Sequence, residues 1–369
     1  MRIIQLIGSA GRSGAGRVAF CLGEGLRAAG HQVAYATAPW VIEFFDAPRD
    51  GDTFFPLKRF GGFREWLAFN RWGATADLVI THDSPARHFV LIARCLGLKP
   101  RLWFMRHCIS GTSRFGPVPF YRRLVDHQIA VSDAVYRSLI ASGFPRQRTT
   151  RIYGGIDLRP FRHPDPVEVE RRRRQFLDDA TPGTNVIGMT ARMSLGPGRG
   201  RLRDTKGYGV LFQALARVRF PYRVLFIGPC QPEAQALLRQ MAGSLGIQPD
   251  HLRFPGFVRD VKNFYPLMTI NVLPSHSEGL GLALIEGMAA GAASVGSRAG
   301  GMVEIIEDGR TGLLFEPGDH EDLARCLSRL ATDATLRGEL ALRGQASVCK
   351  HFDAPVMVQA FGDLLERLQ

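Results

Sequence analysis

The 369-residue sequence is short of cysteine and of long apolar runs, and each shortage removes a class of protein. Cys21, Cys95, Cys108, Cys230, Cys326 and Cys349 stand far apart with no C-x-x-C pair. That leaves no spacing for a structural zinc site and suits a reduced, cytoplasmic setting. No uninterrupted run approaches the roughly 20 apolar residues of a membrane-spanning helix. The opening "MRIIQLIGSAGR" is apolar over too few residues for a secretory signal and reads as a buried first strand. The loop "GSAGRSGAGR" lacks G-x-G-x-x-G, and no acid follows the strand-like "HQVAYAT", which argues against a dinucleotide site. Repeats and low-complexity tracts are missing, and no recognised nucleic-acid motif accompanies the basic charge, so nucleic acid is not expected as a partner.

What is present fits a well-cored α/β protein, with 45% hydrophobic and 22% charged residues. The net charge of +13 is unevenly spread: residues 1–163 hold 23 Lys and Arg against 11 Asp and Glu, a surplus of 12. Residues 164–369 hold 24 against 23. The basic half therefore invites an anionic partner, such as a membrane surface or a phosphorylated acceptor.

Apolar strand-like runs alternate with helical patterns along the whole chain. "RIIQLIG", "HQVAYAT", "ADLVITHD", "PRLWFMRH" and "DHQIAVS" form a first βα series, with Gly30 as a helix stop. "LRPFRHPDPVEVERRRRQFLDDATPGT" breaks the pattern and reads as a connection with a solvated helix. A second series runs from "NVIGMTA" through "YRVLFIG", "LRFPGFV", "TINVLPS" and "AASVGS" to "TGLLFEP", with Asp319 capping the helix that follows. The fold class expected is α/β, with two Rossmann-like, doubly wound domains facing across a cleft. Domain bounds are placed at 1–160 and 161–353, and ligands at the carboxyl ends of the strands.

The densest chemistry lies in "SHSEGLGLALIEGMAAGAASVGSRAGGMVEII". Here a buried strand leads through a Gly-rich turn into an apolar helix. The free backbone N–H groups of its first turn, around Gly281 and Leu282, suit an anion. Glu278 lies in the turn and Glu286 about two helical turns along, both able to accept hydrogen bonds from hydroxyls. Glu286 sits amid Leu284, Ile285, Met288 and Ala289, which a surface acid would not. Two carboxylates near a diphosphate require cations, and Arg192 after "NVIGMTA" and Lys206 before "GYGVLFQAL" can supply them.

Glu278 and Glu286 in this Gly-rich setting, with "DGRTGLLFEPGD" after them, closely resemble the retaining family 4 glycosyltransferases of the GT-B fold. "SGAGRVAFCLGEGLRAAGHQV", "IYGGID" and "TARM…DTKGYGVLFQALARV" extend the resemblance over most of the chain. The closing "HFDAPVMVQAFGDLLERL" is similar to a helix that returns to complete the first domain with residues 354–369. The resemblance implies a nucleotide-diphosphate sugar donor. Glu278 would hold the sugar hydroxyls, Glu286 the ribose, and Arg192 and Lys206 the diphosphate, with backbone of Gly281 and Leu282 beside it. The base would lie near Phe257 and Val258. His107 would stand near the transferred sugar as a catalytic residue beside Glu278, and Gly14 would let backbone approach a phosphate or acceptor. No cofactor and no metal are implied, because the cations are side chains and the leaving diphosphate takes the acceptor proton.

Some positions depart from the family pattern. An acid of the first loop is replaced by Gly16, the Asn of "NGID" by Gly154, and a Pro by Ala293. "MSLGPGRGRLRDT" lengthens the Arg192–Lys206 connection and adds Arg199, Arg201 and Arg203, as a flap over the donor or a plain surface insertion. "FFPLKRFGGFREWLAFNRWGA" interleaves seven aromatic residues with Lys58, Arg59, Arg64 and Arg71, and "SRFGPVPFYRRL" repeats the mixture. Such segments suit an anionic lipid interface, although a core-packed helix with basic flanks gives the same pattern. The activity expected is sugar transfer to a lipid-linked or membrane-associated acceptor in bacterial envelope polysaccharide or lipopolysaccharide synthesis, on the inner face of the cytoplasmic membrane. A soluble enzyme acting on a small acceptor such as a sugar phosphate is the alternative, and a catalytically dead nucleotide-sugar-binding protein the non-enzymatic one.

Overall fold

The computed structural model describes residues 1–8, 14–38, 41, 53–56, 62–109, 123–193, 196–197 and 202–368. The chain divides into two units, Met1–Asp157 with Phe352–Gln369, and Leu158–His351.

The first unit holds β1 (Arg2–Ile7), β2 (Gln32–Thr37), β3 (Thr53–Pro56), β4 (Leu78–Thr81), β5 (Arg101–Arg106), β6 (His127–Ala130) and β7 (Thr149–Arg151). Their order is β3-β2-β1-β4-β5-β6-β7, all parallel. The central strands read as continuous apolar runs because both faces are covered: Ile3, Ile4, Leu6 and Ile7 are all inaccessible to solvent. Asp83 starts the helix Ser84–Cys95 by accepting from the Ala86 N–H at 2.8 Å. The closing helix Ala354–Arg367 buries Met357, Phe361, Leu364 and Leu365, with Phe361 5.5 Å from the Trp103 ring.

The second unit holds β8 (Asn185–Thr190), β9 (Gly196–Pro197), β10 (Leu202–Arg203), β11 (Tyr222–Ile227), β12 (Leu252–Gly256), β13 (Ile270–Leu273), β14 (Ala293–Ser297) and β15 (Leu313–Phe315). Six of these form a parallel sheet in the order β12-β11-β8-β13-β14-β15. Both units are therefore Rossmann-like. In each, the strand order reverses once beside the first strand, between β1 and β4 and between β8 and β13, and those crevices are where doubly wound sheets bind ligands.

The long Arg192–Lys206 connection contains an antiparallel ribbon, Leu202 opposite Pro197 and Arg203 opposite Gly196. Arg199 and Arg201 lie outside the described residues. The arginine run of helix Pro166–Leu177 is a wet face, as its sequence suggested: Arg171 pairs with Glu168 at 2.6 Å and Arg174 with Glu170 at 2.9 Å.

The aromatic stretch at 54–74 is less outward-facing than its composition suggests. Phe55 packs on Phe69 and Trp72 at 5.6 and 5.2 Å, Phe69 on Phe89 at 5.3 Å, and Phe54 on Tyr35 at 5.7 Å. Trp66 lines the same core. What the helix Phe63–Gly73 turns outward is Phe63, Arg64, Leu67, Ala68 and Arg71. Lys58, Arg59 and Phe60, and residues 113–122 of the second such stretch, lie outside the described residues.

Candidate active site

The second unit gathers its charged side chains at its own switch point. β13 ends at Leu273, and the turn that follows carries Ser275 and Glu278 before Gly281 opens the helix Leu282–Ala289. Glu278 Oε1 accepts from Lys206 Nζ at 2.5 Å and from Ser275 Oγ at 2.9 Å. Its Oε2 takes no hydrogen bond from the described residues, so one of the two oxygens is anchored. The pair is partly open to solvent, at 30% for Lys206 and 17% for Glu278. Arg192, two residues beyond β8, is exposed and makes no ion pair with the described residues.

Backbone contacts hold Lys206 and Glu278 in place. Asp204 accepts from the N–H groups of Gly207 and Gly209 at 2.8 and 2.7 Å, folding the turn that presents Lys206. Gly207 is left-handed at φ 80°, and a Cβ there would lie 2.0 Å from the Pro274 carbonyl oxygen. The two loops are also tied by His276 N–H donating to Thr205 O at 3.1 Å. On its other side, Gly301 N–H donates to Glu278 O at 3.0 Å, and a Cβ on Gly300 would meet that oxygen at 2.0 Å. The glycines of "SRAGG" therefore let two backbones meet behind the acid.

Glu286 lies on the buried side of the helix at 5% exposure, where Tyr265 Oη donates to its Oε2 at 2.8 Å. Asn271 fixes the helix to the sheet by donating to Ala283 O at 3.0 Å. Gly281 is the residue before the helix, and the N–H groups of Leu282 and Ala283 stand in its first turn, where no helical carbonyl can receive them. Phe257, 41% exposed, and half-buried Val258 follow β12, three strand positions from β13.

The first unit has its own polar cluster at its switch point. His107 directly follows β5, and its Nε2 lies 3.1 Å from His82 Nδ1. His82 Nε2 lies 2.5 Å from Gln5 Oε1 on β1. Burial and then the neighbouring Arg106 charge hold His107 down to about 3. Burial and then His107 hold His82 well below the usual histidine range. Both rings are neutral at physiological pH. Gly14, placed in a loop by its sequence context, is instead the exposed first residue of the helix Gly14–Ala28, because helical geometry begins one turn earlier than the loop-like composition suggests.

Sequence reasoning brought Lys206 and Glu278 to one place and overlooked the residues that hold them. Ser275, Asp204, Gly300 and Tyr265 act through hydrogen bonds and close backbone contact between segments distant in sequence, which no local pattern announces.

Residues 12–159 match the family described as Glycosyltransferase Family 4, and residues 199–333 the family described as Glycosyl transferases group 1. Together these matches extend over both units. The chain belongs to the family 4 glycosyltransferases. Among curated relatives it is 31% identical over 166 residues to the lipopolysaccharide core biosynthesis glycosyltransferase LpsE of Rhizobium meliloti, covering 45% of this chain and 48% of LpsE. It is 32% identical over 212 residues to the D-inositol 3-phosphate glycosyltransferase of Acidothermus cellulolyticus, covering 54% and 43% of the two chains. Thus it matches about half the length of these relatives. The crystal structure of Anabaena HepE in complex with UDP-glucose superposes with a TM-score of 0.86 over 100% of both chains, at 21% identity. The fold is the GT-B fold of the family.

Proposed function

We propose that this protein is a retaining glycosyltransferase that takes a sugar from a nucleotide-diphosphate donor bound by the second unit. The observation that carries the reading is Glu278, with Oε1 held by Lys206 and Ser275 and Oε2 given no hydrogen bond by the described residues, one turn before an open helix N-terminus. A bound donor would place its sugar hydroxyls at Glu278 and its diphosphate between Lys206, Arg192 and the N–H groups of Gly281 and Leu282. Its ribose would lie at Glu286 and its base beside Phe257 and Val258. At about 4.8 Å per strand, β12 and β13 stand about 14 Å apart, a span suited to a nucleotide-diphosphate sugar. In this reading Arg192 and Lys206 meet the phosphate charge, so no metal ion is needed. The departing diphosphate takes the proton of the incoming hydroxyl on the face it leaves, which preserves the anomeric configuration.

The acceptor is read as lipid-linked, in bacterial envelope polysaccharide or lipopolysaccharide synthesis. Supporting this are the surplus of 12 basic residues in 1–163 and the outward face of helix Phe63–Gly73. There Phe63 and Leu67, 59% and 36% exposed, stand beside Arg64 and Arg71. The described residues contain no helix long and apolar enough to cross a membrane, so attachment would be peripheral. The relatedness to an inositol phosphate glycosyltransferase favours keeping a small phosphorylated acceptor as the second reading.

A thermal-shift panel of UDP, GDP, ADP and their sugars tests the donor site. Stabilisation by one nucleotide class, weakened in Glu286→Ala, is expected. A wild type that responds to none of them, and turns over no donor on anionic liposomes, would overturn the transferase reading in favour of a dead site.

A further inference from the structure

His82 is buried, titratable and unused by the reading above. Its surroundings give it a role. Gln5 lies on β1, and His82 and His107 directly follow the neighbouring strands β4 and β5, beside the point where the first sheet reverses its order. Gln5 is inaccessible to solvent and His82 nearly so, at 2% exposure, while His107 is half-buried. The order is therefore from interior to surface: amide, inner imidazole, outer imidazole. Both contacts are at hydrogen-bond distance, 2.5 Å from Gln5 to His82 and 3.1 Å from His82 to His107.

Hydrogen-bond polarity then runs in one direction through the row. Gln5 Oε1 faces His82 and only accepts, so with the amide in this orientation His82 Nε2 carries the proton between them. A neutral imidazole holds one N–H, which leaves His82 Nδ1 with a lone pair, and His107 Nε2 must donate to it. His107 in turn has Nδ1 unprotonated. Burial keeps both rings neutral, so a second proton does not break the sequence.

We propose that Gln5 and His82 are positioning residues that fix the tautomer and ring orientation of His107, presenting its Nδ1 as a hydrogen-bond acceptor for a substrate hydroxyl. This rests on the assignment of His107 to the transferase site. The device resembles in logic any ring whose far nitrogen is set by a partner on the near one. It differs from a general base in that His107 orients a hydroxyl through its lone pair while the proton itself leaves with the phosphate.

Two measurements decide it. In the wild type, nitrogen NMR of ring-labelled histidine, assigned with His82→Gln and His107→Gln, is expected to show both residues neutral with the proton on Nε2. A proton on Nδ1 of His107 would overturn the proposal without any variant having to function. In kinetics with the donor that the thermal-shift panel selects, Gln5→Leu is expected to lower kcat about tenfold or more while leaving the donor KM within about twofold. In a His107→Ala background, Gln5→Leu should add less than about a twofold further loss. Multiplying losses would mean that Gln5 acts on the fold and not through His107. If His107→Ala itself leaves turnover unchanged, the site assignment of His107 fails, and the tautomer measurement still reports on the row alone.

Discussion

Glu278 depends on a partner that would also serve the donor. Lys206 donates to one of its oxygens at 2.5 Å, which fixes the direction in which the acid points. Because the pair is partly exposed, breaking it is expected to cost less than about 1 kcal/mol of stability. Glu278→Gln should therefore leave the melting temperature close to wild type while reducing transfer by about a hundredfold or more. An inactive variant with a collapsed melting temperature would show the pair to be structural instead. Tyr265 presents the opposite balance. Its hydroxyl meets a buried carboxylate, so Tyr265→Phe is expected to destabilise by about 1.5–3 kcal/mol and to weaken nucleotide binding through Glu286. Urea unfolding and nucleotide titration of the same preparation would separate the two effects.

Titration belongs to this scale as well. His107 is held at about 3 by burial and Arg106, and His127 at about 4 by burial and the Arg367 charge. In the unfolded chain both return to about 6.5. The unfolded state then binds protons that the native state refuses, so their contribution is complete above pH 6.5 and is lost as pH falls toward the folded values. The urea midpoint is expected to decline steadily from pH 7 to pH 4, and less steeply in His127→Gln. A midpoint flat across that range would contradict the buried, neutral assignment.

Among the elements, the turn carrying Glu278 is shaped by segments that meet behind it. Gly300 has φ 57°, and a Cβ there would lie 2.0 Å from Glu278 O. Gly309 has φ 72° with nothing within 4 Å of its would-be Cβ. Gly309→Ala should cost only backbone strain, about 1 kcal/mol, and leave transfer intact. Gly300→Ala adds a collision to that strain, so it should both destabilise and displace the acid. Equal activities for the two variants would show that the Glu278 backbone does not need its fixed place. The strands "RIIQLIG", "PRLWFMRH" and "TINVLPS" were legible because strands buried on both faces read as apolar runs. β3 and β7 were not legible, since "TFFP" and "TTR" are too short to set a period and form by pairing with β2 and β6.

For the whole molecule, the first unit is completed by the last residues of the chain. Ile156 pairs with Asp353, Ala354 N–H donates to Ile156 O at 2.9 Å, and Val358 stands against Gly25 with no room for a Cβ between them. Truncation after His351 removes the buried Met357, Phe361, Leu364 and Leu365 and uncovers Trp103. At about 1.5–3 kcal/mol for each buried side chain, that loss is comparable to the usual margin of stability. Truncated protein is expected to be insoluble or to melt at a lower temperature, and an unchanged melting curve would show the helix to be dispensable. The basic surplus makes a second prediction at this scale. Anionic liposomes should sediment the wild type, less so as salt rises, and Phe63→Ser with Leu67→Ser should release it. Binding that persists in the double variant would move the lipid surface elsewhere.

The sequence by itself determined two βα series, the uneven charge and the carboxylates and cations proposed to hold the donor. Those are properties of periodicity, composition and short motifs, and all are local. Tertiary structure alone decided that Ser275 and Lys206 share one oxygen of Glu278, that Tyr265 reaches Glu286, and that Gln5 and His82 stand in line with His107. It also turned most aromatic residues of the 54–74 stretch inward, leaving Phe63 and Leu67 outside. A basic–aromatic pattern describes both arrangements equally well, because composition records which side chains are present but not which face the core covers.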